Sequence, residues 1–163
     1  MNVDELARQL GEHLRRRGEQ VSTAESCTGG GIAEAITRVP GCSGWFEGAY
    51  VTYSNRQKTA LLQVPAGLFE QVGAVSREVV EAMARGAQRL SGARYAVAVS
   101  GIAGPDGGTP DKPVGTVWLA WADAGQVRSE CRQFSGDRAG VRAQTVECAL
   151  QGLLSLAAGE NPL

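Results

Sequence analysis

The chain has 163 residues, with sixteen Lys+Arg against seventeen Asp+Glu, four cysteines, one histidine and a net charge of −1. One histidine rules out any metal site built on two or three imidazoles, and a Ser-His-Asp triad is left with His13 as its only base. The near-neutral balance gives no reason to expect nucleic-acid binding.

No run of 18 apolar residues and no leader-like segment is present, so a cytoplasmic protein with no membrane partner is expected. A hydrophobic content of 43% with 20% charge fits one globular domain over residues 1–163 with a substantial core. Cys27, Cys42, Cys131 and Cys148 lack C-x-x-C spacing and read as reduced, mostly buried thiols. The only two lysines are Lys58 and Lys112, so few side chains can supply an amine.

In chain order, Val3, Leu6, Leu10 and Leu14 form one stripe of a helix over 4–17 that Gly18 stops. His13 lies off that stripe and reads as an exposed helix residue. A strand over 21–25 runs directly into Ser26-Cys27-Thr28-Gly29-Gly30-Gly31, and a second helical pattern over 32–39 ends at Pro40. Tyr50 to Tyr53 read as a strand, and Asn55 as the N-cap of a helix carrying Lys58, Leu61 and Leu62.

Ser76 caps a long amphipathic helix with Val79, Val80, Met83, Ala87 and Leu90 on one side. Tyr95 to Val99 read as a strand buried on both faces. The Gly/Pro-rich stretch 100–115 reads as a long loop. A hairpin over 117–134 and a helix over 137–158 complete the chain. Alternation followed by a hairpin predicts an α/β fold, a mixed sheet between two helical layers.

Four places could carry chemistry. Ser26 sits at a strand-to-helix junction that exposes a hydroxyl, and glycine-rich backbone there can approach a substrate oxygen. Taken alone, an ordinary N-cap serine is the plainer reading. No Gly-Lys-Ser/Thr follows, so this is not a Walker loop, while Cys27 is an alternative nucleophile that lacks a histidine partner. Tyr53 with Lys58, just past a strand end, could supply a base if the lysine pKa is lowered; a solvated lysine is the plain alternative.

Ser100 and Gly101 open a loop at a strand's carboxyl end, where α/β sheets bind ligands. Arg138 and Arg142, four apart at a helix start, could clamp a phosphate or pair with Asp137.

Taken together, Thr23-Ala24-Glu25-Ser26-Cys27-Thr28-Gly29-Gly30, Val51-Thr52-Tyr53-Ser54-Asn55 with Lys58, Gly73-Ala74-Val75-Ser76, Ser100-Gly101-Ile102-Ala103-Gly104-Pro105 and Lys112-Pro113-Val114-Gly115-Thr116-Val117 resemble the CinA C-terminal domain family. The likeness runs from about residue 3 to 157.

It implies an α/β/α amidohydrolase without metal or other cofactor, converting nicotinamide mononucleotide to nicotinate mononucleotide and ammonia in NAD salvage. Its serine–lysine pair falls on Ser26 and Lys58, with Tyr53 as an assisting hydroxyl. By physical role, Cys27, Thr28, Gly29, Gly30, Ser100, Gly101, Arg138 and Arg142 are the expected substrate contacts. The chain looks like the stand-alone form of the family, and a homo-oligomer is the common expectation for such enzymes. An amidase for another small amide and a non-catalytic nucleotide-binding module are the alternatives.

Overall fold

The computed structural model describes residues 1–160, so the last three residues of the expected domain lie outside the described part. The predicted stripe becomes α1 (Val3–Arg17), capped by the Asn2 side chain and closed by left-handed Gly18. Then follow β1 (Val21–Glu25), α2 (Gly31–Thr37), β2 (Phe46–Val51), α3 (Asn55–Leu62), α4 (Gly67–Gln71) and α5 (Arg77–Ser91). The chain ends in β3 (Tyr95–Gly101), β4 (Thr116–Ala122), β5 (Val127–Gln133) and α6 (Arg138–Ala157).

The five strands form one mixed sheet in the order β2-β1-β3-β4-β5. β1 runs parallel to both β2 and β3, while β4 and β5 are antiparallel. α1, α2 and α6 pack on one face and α3 to α5 on the other, which is the expected three-layer sandwich. Alternation along the strands sorts their side chains between the two faces. Val21, Val97 and Val99 join Leu6, Leu10 and Leu153 in one core; Ala24, Ala96 and Ala98 join Leu62, Val79 and Met83 in the other. Small residues recur where elements approach: a Cβ on Gly152 of α6 would collide with the buried Trp121 ring of β4.

Several boundaries differ from expectation. β2 begins at Phe46 and stops at Val51, so Tyr53 lies beyond the strand. β2 is an edge strand whose Gly48 and Ala49 dilute the alternating pattern, which is why its first half was not expected. The α3 cap is Ser54, whose hydroxyl accepts from Gln57 N at 3.2 Å, and not Asn55. The short α4 follows Pro65 with no stripe long enough to announce it. The thiols are less buried than expected: only Cys27 is fully inside, and Cys131 is exposed.

Candidate active site

Strand order places the site. The connection leaving β1 runs through α2 to β2, while the one leaving β3 runs away to β4, so the crevice between their carboxyl ends is a topological switch point. Ser26 sits there. Its N–H continues the ladder to Val99 O at 3.2 Å, and the β1–β3 register puts Ser100 beside it. Both serines are buried and share the face that carries Ala24 and Ala98, the face covered by α3 and α5.

α3 brings the base. Within 53–60 only Lys58 turns fully inward, together with Leu62 one turn on. Lys58 is 1% exposed. Its Nζ lies 3.0 Å from Ser26 Oγ and donates to the Tyr53 carbonyl at 2.8 Å. No ion pair among the described residues involves it. Burial lowers its pKa below the ordinary lysine value, against a smaller opposing pull from Cys27. The solvated-lysine alternative does not hold.

The turn after Ser26 is built by a residue to which no role was given from sequence. Glu25, the last residue of β1 and next to Ser26, projects to the opposite face and has no exposed surface. Its carboxylate accepts from Thr23 Oγ1 (3.1 Å), Thr28 Oγ1 (2.6 Å), Gly30 N (3.2 Å), Ile32 N (3.0 Å) and Ala33 N (2.9 Å). It therefore caps α2, whose N-cap Gly30 has no side chain to do so. Gly29 and Gly30 take φ of 59° and 102°, a left-handed course that larger residues rarely follow.

This network narrows the expected oxyanion donors. Gly29 N–H is spent on Ser26 O at 3.1 Å, and Gly30 N–H on Glu25. The N–H groups of Cys27 and Thr28 have no acceptor among the described residues. The side chains of these two residues are not free for a ligand: Thr28 donates to Glu25, and Cys27 packs in the core. Burial also pushes the Cys27 thiol up to about 11, which counts against it as the nucleophile.

The arginines differ from each other. Arg142 donates to the carbonyls of Cys27 and Thr28, both at 3.1 Å. Because a trans peptide sets C=O and N–H in opposite directions, fixing Cys27 O also aims Thr28 N–H away from Arg142. Arg138 donates to Gly104 O at 2.9 Å and to the Tyr53 hydroxyl at 3.2 Å. Each guanidinium keeps unused N–H groups, and both line a cavity of about 530 Å³ with Ala103, Pro105 and Gly136. A larger cleft of about 650 Å³ lies at the opposite end of the strands, by Gln20 and Arg94, away from Ser26.

Tyr53 is 63% exposed. It turns its carbonyl, not its hydroxyl, to Lys58, and the hydroxyl meets Arg138. Lys112 spends its ammonium on Val72 O at 2.7 Å. His13 is half-buried on α1, less exposed than expected, and lies on the helical layer opposite the one that carries Lys58. Among the described residues no three His, Cys, Asp or Glu side chains converge to hold a metal, and no helix is long and apolar enough to cross a membrane.

A family model, the CinA C-terminal domain, matches residues 3–157. The nicotinamide-nucleotide amidohydrolase PncC of Pseudomonas putida is 73% identical, over 94% of this chain and 96% of that protein. A CinA-like protein of Akkermansia muciniphila is 56% identical over 87% of this chain, which spans only 34% of that longer protein. The crystal structure of competence damage-inducible protein A from Klebsiella pneumoniae superposes with a TM-score of 0.94 at 39% identity, covering 97% of this chain and 98% of that one. The chain belongs to the CinA C-terminal domain family.

Proposed function

We propose that this protein hydrolyses the carboxamide of nicotinamide mononucleotide to nicotinate mononucleotide and ammonia, with Ser26 as nucleophile and Lys58 as general base. The observation that carries this reading is the 3.0 Å contact between Ser26 Oγ and a buried lysine with no ion-pair partner. The name of the Pseudomonas putida relative supports the substrate. On this reading the acid product is a form from which NAD can be rebuilt, a role in pyridine-nucleotide salvage.

Burial favours the neutral amine of Lys58, which accepts the Ser26 proton along the same line of contact as Oγ bonds to the carboxamide carbon. The carbonyl electron pair moves to oxygen, where the Cys27 and Thr28 N–H groups are free to receive it; such a donor is typically worth about 3–4 kcal/mol. The Lys58 ammonium then protonates the amide nitrogen, the C–N bond breaks and ammonia leaves. Water, deprotonated by Lys58, attacks the Ser26 ester, and the proton returns to Oγ as the acid departs. The direct contact needs no relay through the Tyr53 hydroxyl. The unused N–H groups of Arg138 and Arg142 suit the phosphate.

The test is ammonia release from nicotinamide mononucleotide and from free nicotinamide. Wild type turns over the mononucleotide in preference, and Ser26→Ala falls at least about a thousandfold. Turnover of Ser26→Ala near wild type, or preference for the free amide, overturns the reading.

A further inference from the structure

The geometry points to the exposed ring of Tyr53 as the surface on which the substrate's pyridinium ring lies, so that Tyr53 is a substrate-positioning residue through its aromatic face. This rests on the substrate proposed above. Two contacts hold the residue at its two ends: the main-chain carbonyl accepts from Lys58 Nζ at 2.8 Å and the side-chain hydroxyl accepts from Arg138 at 3.2 Å. The side chain therefore runs from beside the Ser26–Lys58 pair to Arg138, which lines the cavity.

A molecule with its carboxamide at Ser26 and its phosphate near Arg138 has to set its heterocycle along that interval. The heterocycle is a cation, and an aromatic face attracts one. At 63% exposure, Tyr53 has most of its surface uncovered for such a contact. Neighbouring Thr52 and Lys58 are buried and offer no comparable surface. The Arg138 guanidinium meets the hydroxyl at the tip of the side chain.

Tyr53→Phe keeps the ring and loses the hydroxyl, Tyr53→Leu loses the ring, and exposure at this position keeps both variants folded. In ammonia release from the mononucleotide, Tyr53→Leu raises KM roughly tenfold with a much smaller change in kcat. Tyr53→Phe loses no more than severalfold in kcat/KM, and Tyr53→Trp restores the KM lost in Tyr53→Leu. A hundredfold fall in kcat for Tyr53→Phe overturns the inference by making the hydroxyl a proton carrier, and so does an unchanged KM for Tyr53→Leu.

Binding separates this inference from the reaction itself. Titrated without turnover, wild type binds the 1-methylnicotinamide cation more tightly than neutral nicotinamide, and Tyr53→Leu loses that preference. Equal binding of the two by wild type overturns the inference even if the mononucleotide is hydrolysed. A retained preference with no ammonia released removes the proposed reaction and leaves the ring contact standing.

Discussion

Glu25 and Lys58 are both buried and ionisable, on opposite faces at the carboxyl end of the parallel strands, and the protein keeps them in opposite ways. Glu25 is surrounded by five donors from hydroxyls and main chain. Lys58 has two contacts, one of them the Ser26 hydroxyl, and no carboxylate. The first arrangement suits an acceptor-only carboxylate and offsets its desolvation. The second leaves an amine under-compensated, which favours its neutral form. Strand alternation lets adjacent residues serve both ends: Glu25 locks the turn on one face while Ser26 presents its oxygen on the other. The carboxylate is compensated on one face, and the amine on the other is left poised to accept a proton.

The strongest attempt to break this contrast is to remove each group. Glu25→Leu orphans three main-chain N–H groups and two hydroxyls, and urea unfolding is expected to show a loss of about 3–5 kcal/mol. Lys58→Met replaces a desolvated amine with an apolar chain of similar length, so stability stays level or rises by about 1 kcal/mol while ammonia release disappears. Equal destabilisation by the two substitutions refutes the contrast.

Arg142 and Arg138 allow a second comparison, within the site. Arg142 steadies the Cys27 and Thr28 carbonyls, so Arg142→Gln lowers kcat roughly tenfold by loosening the oxyanion donors. Arg138→Gln acts mainly on KM. Steady-state kinetics in which both substitutions move only KM would remove the strut role.

pH sharpens the first comparison further. The folded-state pKa of Lys58 is lowered by burial, so between that value and the unfolded value of about 10.4 the unfolded chain binds the extra proton. Unfolding free energy of wild type then rises with pH across that window relative to Lys58→Met. In urea midpoint, wild type therefore gains on Lys58→Met from pH 7 towards pH 10. A constant difference contradicts a depressed Lys58.

The smallest effect concerns how α3 presents the base. Ser54→Ala costs about 1 kcal/mol, whereas Asn55→Ala stays within about 0.5 kcal/mol. Equal losses would return the cap to Asn55.

Much of the fold could be read from pattern, because α1 and α5 have periodicity that burial reproduces. β2 could not, since an edge strand with Gly48 and Ala49 has little hydrophobic alternation to show. Ser26 and Lys58 were nameable from motif, yet their meeting depends on α3 folding over the sheet, across 32 residues of sequence. Glu25 went unassigned because its partners are mostly main-chain groups, which residue identity does not reveal. A usable signal existed: an acid directly before a Ser/Thr/Gly run whose helix start, Gly30, has no capping side chain. The division between Arg142 as strut and Arg138 as bridge to Tyr53 was likewise hidden, since helical spacing puts both on one face and says nothing of what each meets.

The central claim is that Lys58 acts by being neutral. Lys58→Arg keeps hydrogen-bond donors at the position but carries a charge that it cannot lose at any working pH. The decisive measurement is kcat/KM for nicotinamide mononucleotide against pH, in wild type and Lys58→Arg. Wild type is expected to rise through one deprotonation below the ordinary lysine value, with Lys58→Arg at least about a thousandfold lower throughout. Activity of Lys58→Arg within tenfold of wild type, or a wild-type profile flat across that range, contradicts the claim.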